Sequence, residues 1–209
     1  MVYRWAMTMT RAPIRERILD TAEGLVLEQG FSATTVDEIL KGAEASKGAF
    51  FHHFPSKEAL GTALLSRYYE RDIETLEHFM GQAEAASDDP AQQLLVFFRL
   101  FEESAEPSVD ESPGCLYVSF VYERMPQLED EDDVIRGSIA VWRARILEKL
   151  EAAALTRPRL AAQDLTGLAD LAFVYFEGAY ILVRATGDSR HLRRQLGLLR
   201  SYMQLLLEA

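Results

Sequence analysis

The stretch from Thr34 to Lys57, TTVDEILKGAEASKGAFFHHFPSK, leaves this chain few choices of fold. Thr35 followed three residues later by Glu38 is a capping-box spacing, in which hydroxyl and carboxylate each take a backbone N–H of the first turn. A helix therefore starts at Val36 and turns Ile39, Leu40 and Ala43 inward. Glu44 and Ala45 interrupt the pattern. Ser46 can cap a second helix, Lys47 to His53, whose Phe50 and Phe54 stand four residues apart and so share a face. The opposite face carries Lys47, Gly48, Ala49, Phe51 and His52: a long cation, two residues too small to block a close approach, and flat rings.

Pro55 ends the second helix, because a residue before proline avoids the helical region. Ser56 then caps a third helix with Lys57 in its first turn, and such an N-terminus favours a phosphate. Two short helices, a three-residue turn and a basic, small-residue second helix make a helix-turn-helix, whose second helix would enter the DNA major groove.

From about Ile14 to Leu65 the chain resembles the DNA-binding domain of TetR-family transcriptional regulators. The resemblance rests on Thr35, Ser46-Lys47-Gly48, Phe50-Phe51, His53-Phe54-Pro55-Ser56-Lys57 and Glu58-Ala59-Leu60, and covers roughly the first third of the chain. It implies DNA contacts from Thr35, Ser46, Lys47, Gly48, Ala49, Phe51, His52, His53 and Lys57, with Lys47 and the Gly48-Ala49 surface in the groove and Thr35, His53 and Lys57 on phosphates. Two positions depart from the family. Phe51 stands where a tyrosine hydroxyl usually meets a phosphate, and Glu44 stands in the turn where glycine is usual.

A net charge of -11 looks wrong for a protein that must neutralise phosphates. Its distribution resolves the conflict. Residues 1–60 carry seven Lys/Arg against eight Asp/Glu, so the acid lies mostly in the remainder. Lys47, His52, His53 and Lys57 cluster on the proposed DNA side, downstream of Arg4, Arg11, Arg15 and Arg17. Modest affinity with a visible salt dependence follows. Arg15 and Arg17 fit either backbone contacts or solvated surface.

The remaining pattern is helical throughout, with no strand alternation and no internal repeat. Pro13 and Gly30 bracket a first helix, and the helix after Ser56 continues to about Ala85, near 45 Å at about 1.5 Å per residue. It reads as a lever between domains or as a rigid strut. Asp89-Pro90 restarts the chain into an apolar helix through Phe101, a polar loop covers 106–113, and Gly114 to Arg124 is a short apolar helix. The acidic run from Glu129 to Asp133 suits the N-terminal end of the next helix, which shows Ile135, Ile139, Trp142, Ile146 and Leu150 on one face; Pro158 falls in the loop after it. Two final helices, about 162–186 and 189–207, are joined by Gly187-Asp188 and so lie antiparallel. The fold class is all-α with about nine helices: a loose arm at 1–11, a helix-turn-helix DNA-binding domain at 12–58, and a helical effector-binding and dimerisation domain at 59–209. The translation start is open between Met1, Met7 and Met9.

In the second domain the family resemblance implies an inducer pocket among aromatic residues, for which Phe98, Phe101, Tyr117, Phe120, Trp142, Phe173 and Tyr175 are the candidates. It also implies a homodimer through the last two helices, with Phe176, Tyr180, Leu198, Tyr202 and Leu205 at the interface and a near-palindromic operator. A single thick core would use the same residues. Cys115, the only cysteine, forms no intramolecular disulfide and suits a reducing cytoplasm. In Gly-Cys-Leu at a helix start it reads as an electrophile or redox sensor, or as a buried small hydrophobe. No apolar run approaches the roughly 20 residues of a membrane helix. No nucleophile elbow, zinc spacing or glycine-rich phosphate loop is present, and His52 and His53, adjacent on a helix, point in different directions. The reading is therefore a cytoplasmic, non-enzymatic, ligand-responsive repressor without cofactor or metal. An activator, or an adaptor that has lost DNA binding, stands as the rival.

Overall fold

The structure is a computed structural model that describes residues 12–104, 114–123 and 131–208, with the side chains of 131–133 set aside. The arm at 1–11, the loop at 106–113 and the first two residues of the acidic run, Glu129 and Asp130, fall outside those residues. Among the described residues ten helices follow one another: α1 Ile14–Gln29, α2 Val36–Gly42, α3 Lys47–His53, α4 Lys57–Ala86, α5 Pro90–Ser104, α6 Leu116–Glu123, α7 Glu131–Ala154, α8 Pro158–Ala161, α9 Leu165–Thr186 and α10 Arg190–Leu207. Pro158, placed in a loop from sequence, opens the four-residue α8, because proline at the first helical position gives up only an N–H that has no intrahelical partner.

The chain divides into two compact units, 1–70 with 114–136, and 71–113 with 137–209. The expected boundary after residue 58 falls inside α4, whose residues 57–70 belong to the first unit and 71–86 to the second.

In the first unit α1 is the brace. It packs on α2, α3 and α6, and buries Ile18, Leu19, Ala22 and Val26. Gly42 lets α2 come close, since a Cβ there would lie 2.6 Å from Thr21 Cγ2. Arg67 of α4 reaches back to α1, donating to Asp20 at 2.7 Å and to Glu23 at 2.6 Å. Burial would lower its pKa, but these carboxylates more than offset that and raise it.

In the second unit α10 packs on α9, α5 and α8. Leu192, Leu196, Leu199, Met203 and Leu207 form its buried stripe. The core joins Leu94, Phe97 and Phe98 of α5 with Trp142, Ile146 and Leu150 of α7 and Ala169, Ala172 and Ala179 of α9. Polar ties run along its edges. Glu84 of α4 takes Lys149 Nζ at 2.6 Å and Arg145 Nη2 at 3.2 Å, and the Lys149 bond foremost holds its carboxyl below the usual range. Arg157 donates to the Leu207 carbonyl and to Asp89, both at 2.7 Å, pinning the end of α10 to the start of α5.

Contrary to the sequence expectation, α9 is long and apolar enough, by length and composition, to cross a membrane. The same profile arises in a helix that meets protein on more than one side. One face of α9 is in the core, and its Asp170 is paired to Arg143 at 2.6 Å.

Candidate nucleic-acid interface

Local chemistry builds the site. Both halves of the capping box form at the start of α2: Thr35 Oγ1 accepts the Glu38 N–H at 3.2 Å, and Glu38 Oε2 accepts the Thr35 N–H at 2.8 Å. The Thr35 hydroxyl also donates to Glu38 Oε2 at 2.7 Å, and these bonds hold the Glu38 carboxyl below the ordinary glutamate value. The turn then passes through Glu44 at φ 49, the one non-glycine residue with positive φ among those described. That left-handed conformation is natural for glycine and strained for glutamate. Ser46 Oγ accepts the Ala49 N–H at 3.1 Å and starts α3.

Helix α3 presents two faces, as its spacing predicts. Phe50 and Phe54 are buried with ring centroids 5.8 Å apart. Lys47, Gly48, Phe51 and His52 are exposed, Phe51 by 46%, and Ala49 and His53 are half-buried. A Cβ added at Gly48 would meet only Ser46 Oγ, 4.0 Å away. The chain itself therefore gives no packing reason for a glycine inside this helix, where it costs roughly 0.5–1 kcal/mol relative to alanine. His52 and His53 differ from the expectation of divergence: their rings swing together, edge to face, with centroids 5.0 Å apart.

Two of the residues assigned to phosphates already have partners within the chain. The Thr35 hydroxyl is occupied by the capping box, and Lys57 Nζ donates to the Ser32 carbonyl at 3.2 Å while lying 4.7 Å from the Phe31 ring centroid. An ammonium has three protons, so Lys57 keeps donors for a further acceptor. Arg15 lies over Phe54 at 5.6 Å and pairs with Glu16 at 2.9 Å.

The aromatic residues singled out for an effector pocket fall into two groups. Phe98, Phe101, Trp142, Phe173 and Tyr175 belong to the core of the second unit, with Trp142 5.5 Å from Phe101 and 5.8 Å from Phe173. Trp142 Nε1 is buried there without a hydrogen-bond partner. Tyr117 and Phe120 pack within the first unit, on Tyr68 at 4.8 Å and on Phe31 at 5.0 Å. Cys115, just before α6, is buried.

Of the interface candidates, Leu198, Tyr202 and Leu205 form a second, exposed stripe on α10, with Leu205 exposed by 73%. Phe176 and Tyr180 instead lean on the core: Phe176 stacks on Phe101 at 5.3 Å and meets Tyr180 at 4.7 Å. Sequence reasoning missed Val174, Ile181 and Leu182, the exposed apolar residues of α9. Their spacing of seven and eight carried the signal.

A capped helix, a tight turn and a second helix with a bare, basic outer face, braced by α1, define a helix-turn-helix DNA-binding transcriptional regulator. Residues 18–64 match the model of "Bacterial regulatory proteins, tetR family", and the chain belongs to that family. Its members are regulators and not enzymes. Among similar proteins are the HTH-type transcriptional repressor NemR of Escherichia coli K12, 41% identical over 138 residues, or 63% of this chain and 66% of the relative, and the repressor DhaR of Mycobacterium sp. GP1, 28% identical over 84% of this chain and 85% of the relative. Among solved structures, a regulatory protein TetR from Rhodobacter sphaeroides superposes with TM-score 0.71 at 25% identity, over 91% of this chain and 99% of that one. Escherichia coli NemR in its reduced form gives 0.68 at 24%, over 90% and 95%.

Proposed function

We propose that the chain is a cytoplasmic, ligand-responsive repressor that binds a near-palindromic operator as a homodimer. The observation that carries the reading is Gly48: exposed, helical and unneeded by its own fold, it leaves room for a partner's surface to approach α3. Lys47 reads base edges beside it, and His53, Lys57 and the start of α2 hold phosphates. The exposed stripes of α9 and α10 favour a second copy as their cover, which would set two reading heads about one helical turn apart. The repressors among its relatives support the sign of regulation.

Phe98, Phe101, Trp142, Phe173 and Tyr175 form the effector site in this reading. The orphan indole N–H of Trp142 supports a ligand with an acceptor group. Helix α4, continuous from Lys57 to Ala86, carries the effect of occupancy toward the reading pair and alters the spacing of the two heads.

An electrophoretic shift on the intergenic DNA upstream of its own gene, at two salt concentrations and against unrelated DNA, tests this. A specific, salt-sensitive shift at dimer stoichiometry is expected; equal binding to both DNAs, followed by failure to enrich any site from a random library, would refute it. A second reading, release from DNA through oxidation or alkylation of Cys115, draws on its place at the start of α6 and on a relative solved in a form described as reduced. Unchanged electrophile-driven release in Cys115→Ser would end it.

A further inference from the structure

The segment from Gly30 to Thr34 joins the brace α1 to the first helix of the reading pair, and it is held from outside that pair. Glu123, the last residue of α6, accepts the N–H of Phe31 at 2.7 Å and the N–H of Ser32 at 2.6 Å, one on each carboxylate oxygen. From the other side Lys57 takes the Ser32 carbonyl and covers the Phe31 ring. Phe120, one helical turn before Glu123, lies 5.0 Å from the same ring. Gly30 makes the approach possible: it sits at φ 88, and a Cβ there would collide with Glu123 Oε1.

We infer that Glu123 is a positioning residue for DNA binding: its carboxylate fixes the entry to α2, so that the setting of the reading helix depends on α6. The reasoning is one of direction and number. Two short, charge-assisted bonds to adjacent amides define the orientation of a peptide segment, which one bond or an apolar contact does not. Thr35, the cap of α2, lies three residues beyond Ser32, and Thr34 is buried between them with its hydroxyl on the Gly30 carbonyl at 2.7 Å. A shift of the Phe31–Ser32 amides therefore reaches the start of α2 through a segment with little slack.

The inference rests on the chain being a DNA-binding regulator, and its test separates the two. Bulk electrostatics and positioning predict opposite signs for Glu123→Gln. Removing an anion from a DNA-binding unit should tighten binding, whereas releasing one amide of the pair should loosen the reading head and weaken it. Fluorescence anisotropy on an operator selected by the wild-type chain is expected to show about tenfold weaker binding for Glu123→Gln, with an unchanged salt slope and an unchanged helical spectrum. Equal or tighter binding by the variant would overturn the inference while leaving DNA binding intact; failure of the wild type to bind would instead strike the functional reading. Should the variant not fold, hydrogen exchange on the wild type decides. The Phe31 and Ser32 amides are expected to exchange at least about tenfold slower than a free peptide, and exchange at the free rate would overturn the inference.

Discussion

Arg17 Nη2 lies 3.4 Å from the carbonyl oxygen of Glu44, tying the brace helix to the strained residue of the reading turn across 27 positions. The bond is long and the Arg17 Nε beside it is buried without a partner, so it offsets little of what Glu44 costs at φ 49. Glu44→Gly should therefore raise stability by about 0.5–1 kcal/mol, or a few degrees of Tm, and also remove an anion from the DNA side. Thermal melting and operator titration check both parts; a loss of stability would mean that the turn is not strained.

Gly48→Ala separates folding from recognition. The added methyl enters open space, so stability should hold or rise by up to about 0.5–1 kcal/mol. Operator affinity should fall by about tenfold or more if DNA closes on that surface. Unchanged affinity would leave the glycine without a purpose at the interface.

Lys47 and Lys57 should behave differently. Lys47→Ala should relax sequence preference as well as affinity. Lys57→Ala should weaken all sequences alike and reduce the slope of log K against log salt by about one. Because Lys57 also holds Ser32 and Phe31, its loss should lower Tm slightly, which Lys47→Ala should not. Identical behaviour of the two variants would contradict this division.

The start of α2 should be sensitive to acid. The folded carboxyl of Glu38 is depressed chiefly by the Thr35 hydroxyl, so its contribution is complete above the ordinary glutamate value and is lost as the pH falls through its own lower one. The protection of the Thr35 and Glu38 amides, relative to the intrinsic exchange rate at each pH, should fall in that window in the wild type and stay flat in Glu38→Gln. Parallel profiles would assign the acid response elsewhere.

Leu205→Glu addresses assembly. At 73% exposure the substitution should alter the stability of a lone chain by no more than about 0.5 kcal/mol. Analytical ultracentrifugation should nevertheless show a shift toward monomer, with Leu198→Glu alike. An unaffected dimer would move the interface away from this face.

The reading pair was legible because its signals are local. Thr35 and Glu38, Ser46 and Ala49, and the Phe50–Phe54 spacing each act within one turn. Longer-range relations were not. Tyr117 and Phe120 share the chemistry of the Trp142 cluster, but topology puts them on Tyr68 and Phe31. Phe176 and Tyr180, read as interface, are half-buried against the core, while Val174, Ile181 and Leu182 carry the exposed face of α9. Glu123 gave no signal at all, because its amide partners lie 91 and 92 residues away.

The pairing of Gly30 with Glu123 also bears on how this protein can vary. Position 30 is restricted twice over, by a backbone angle that L side chains avoid and by a carboxylate oxygen standing where a methyl would go. A methyl added at Gly24 or Gly81 would meet nothing within 4 Å, so the identities there are free by comparison. A saturation library scored by reporter repression should thus lose every alternative at position 30 while recovering many at 24 and 81.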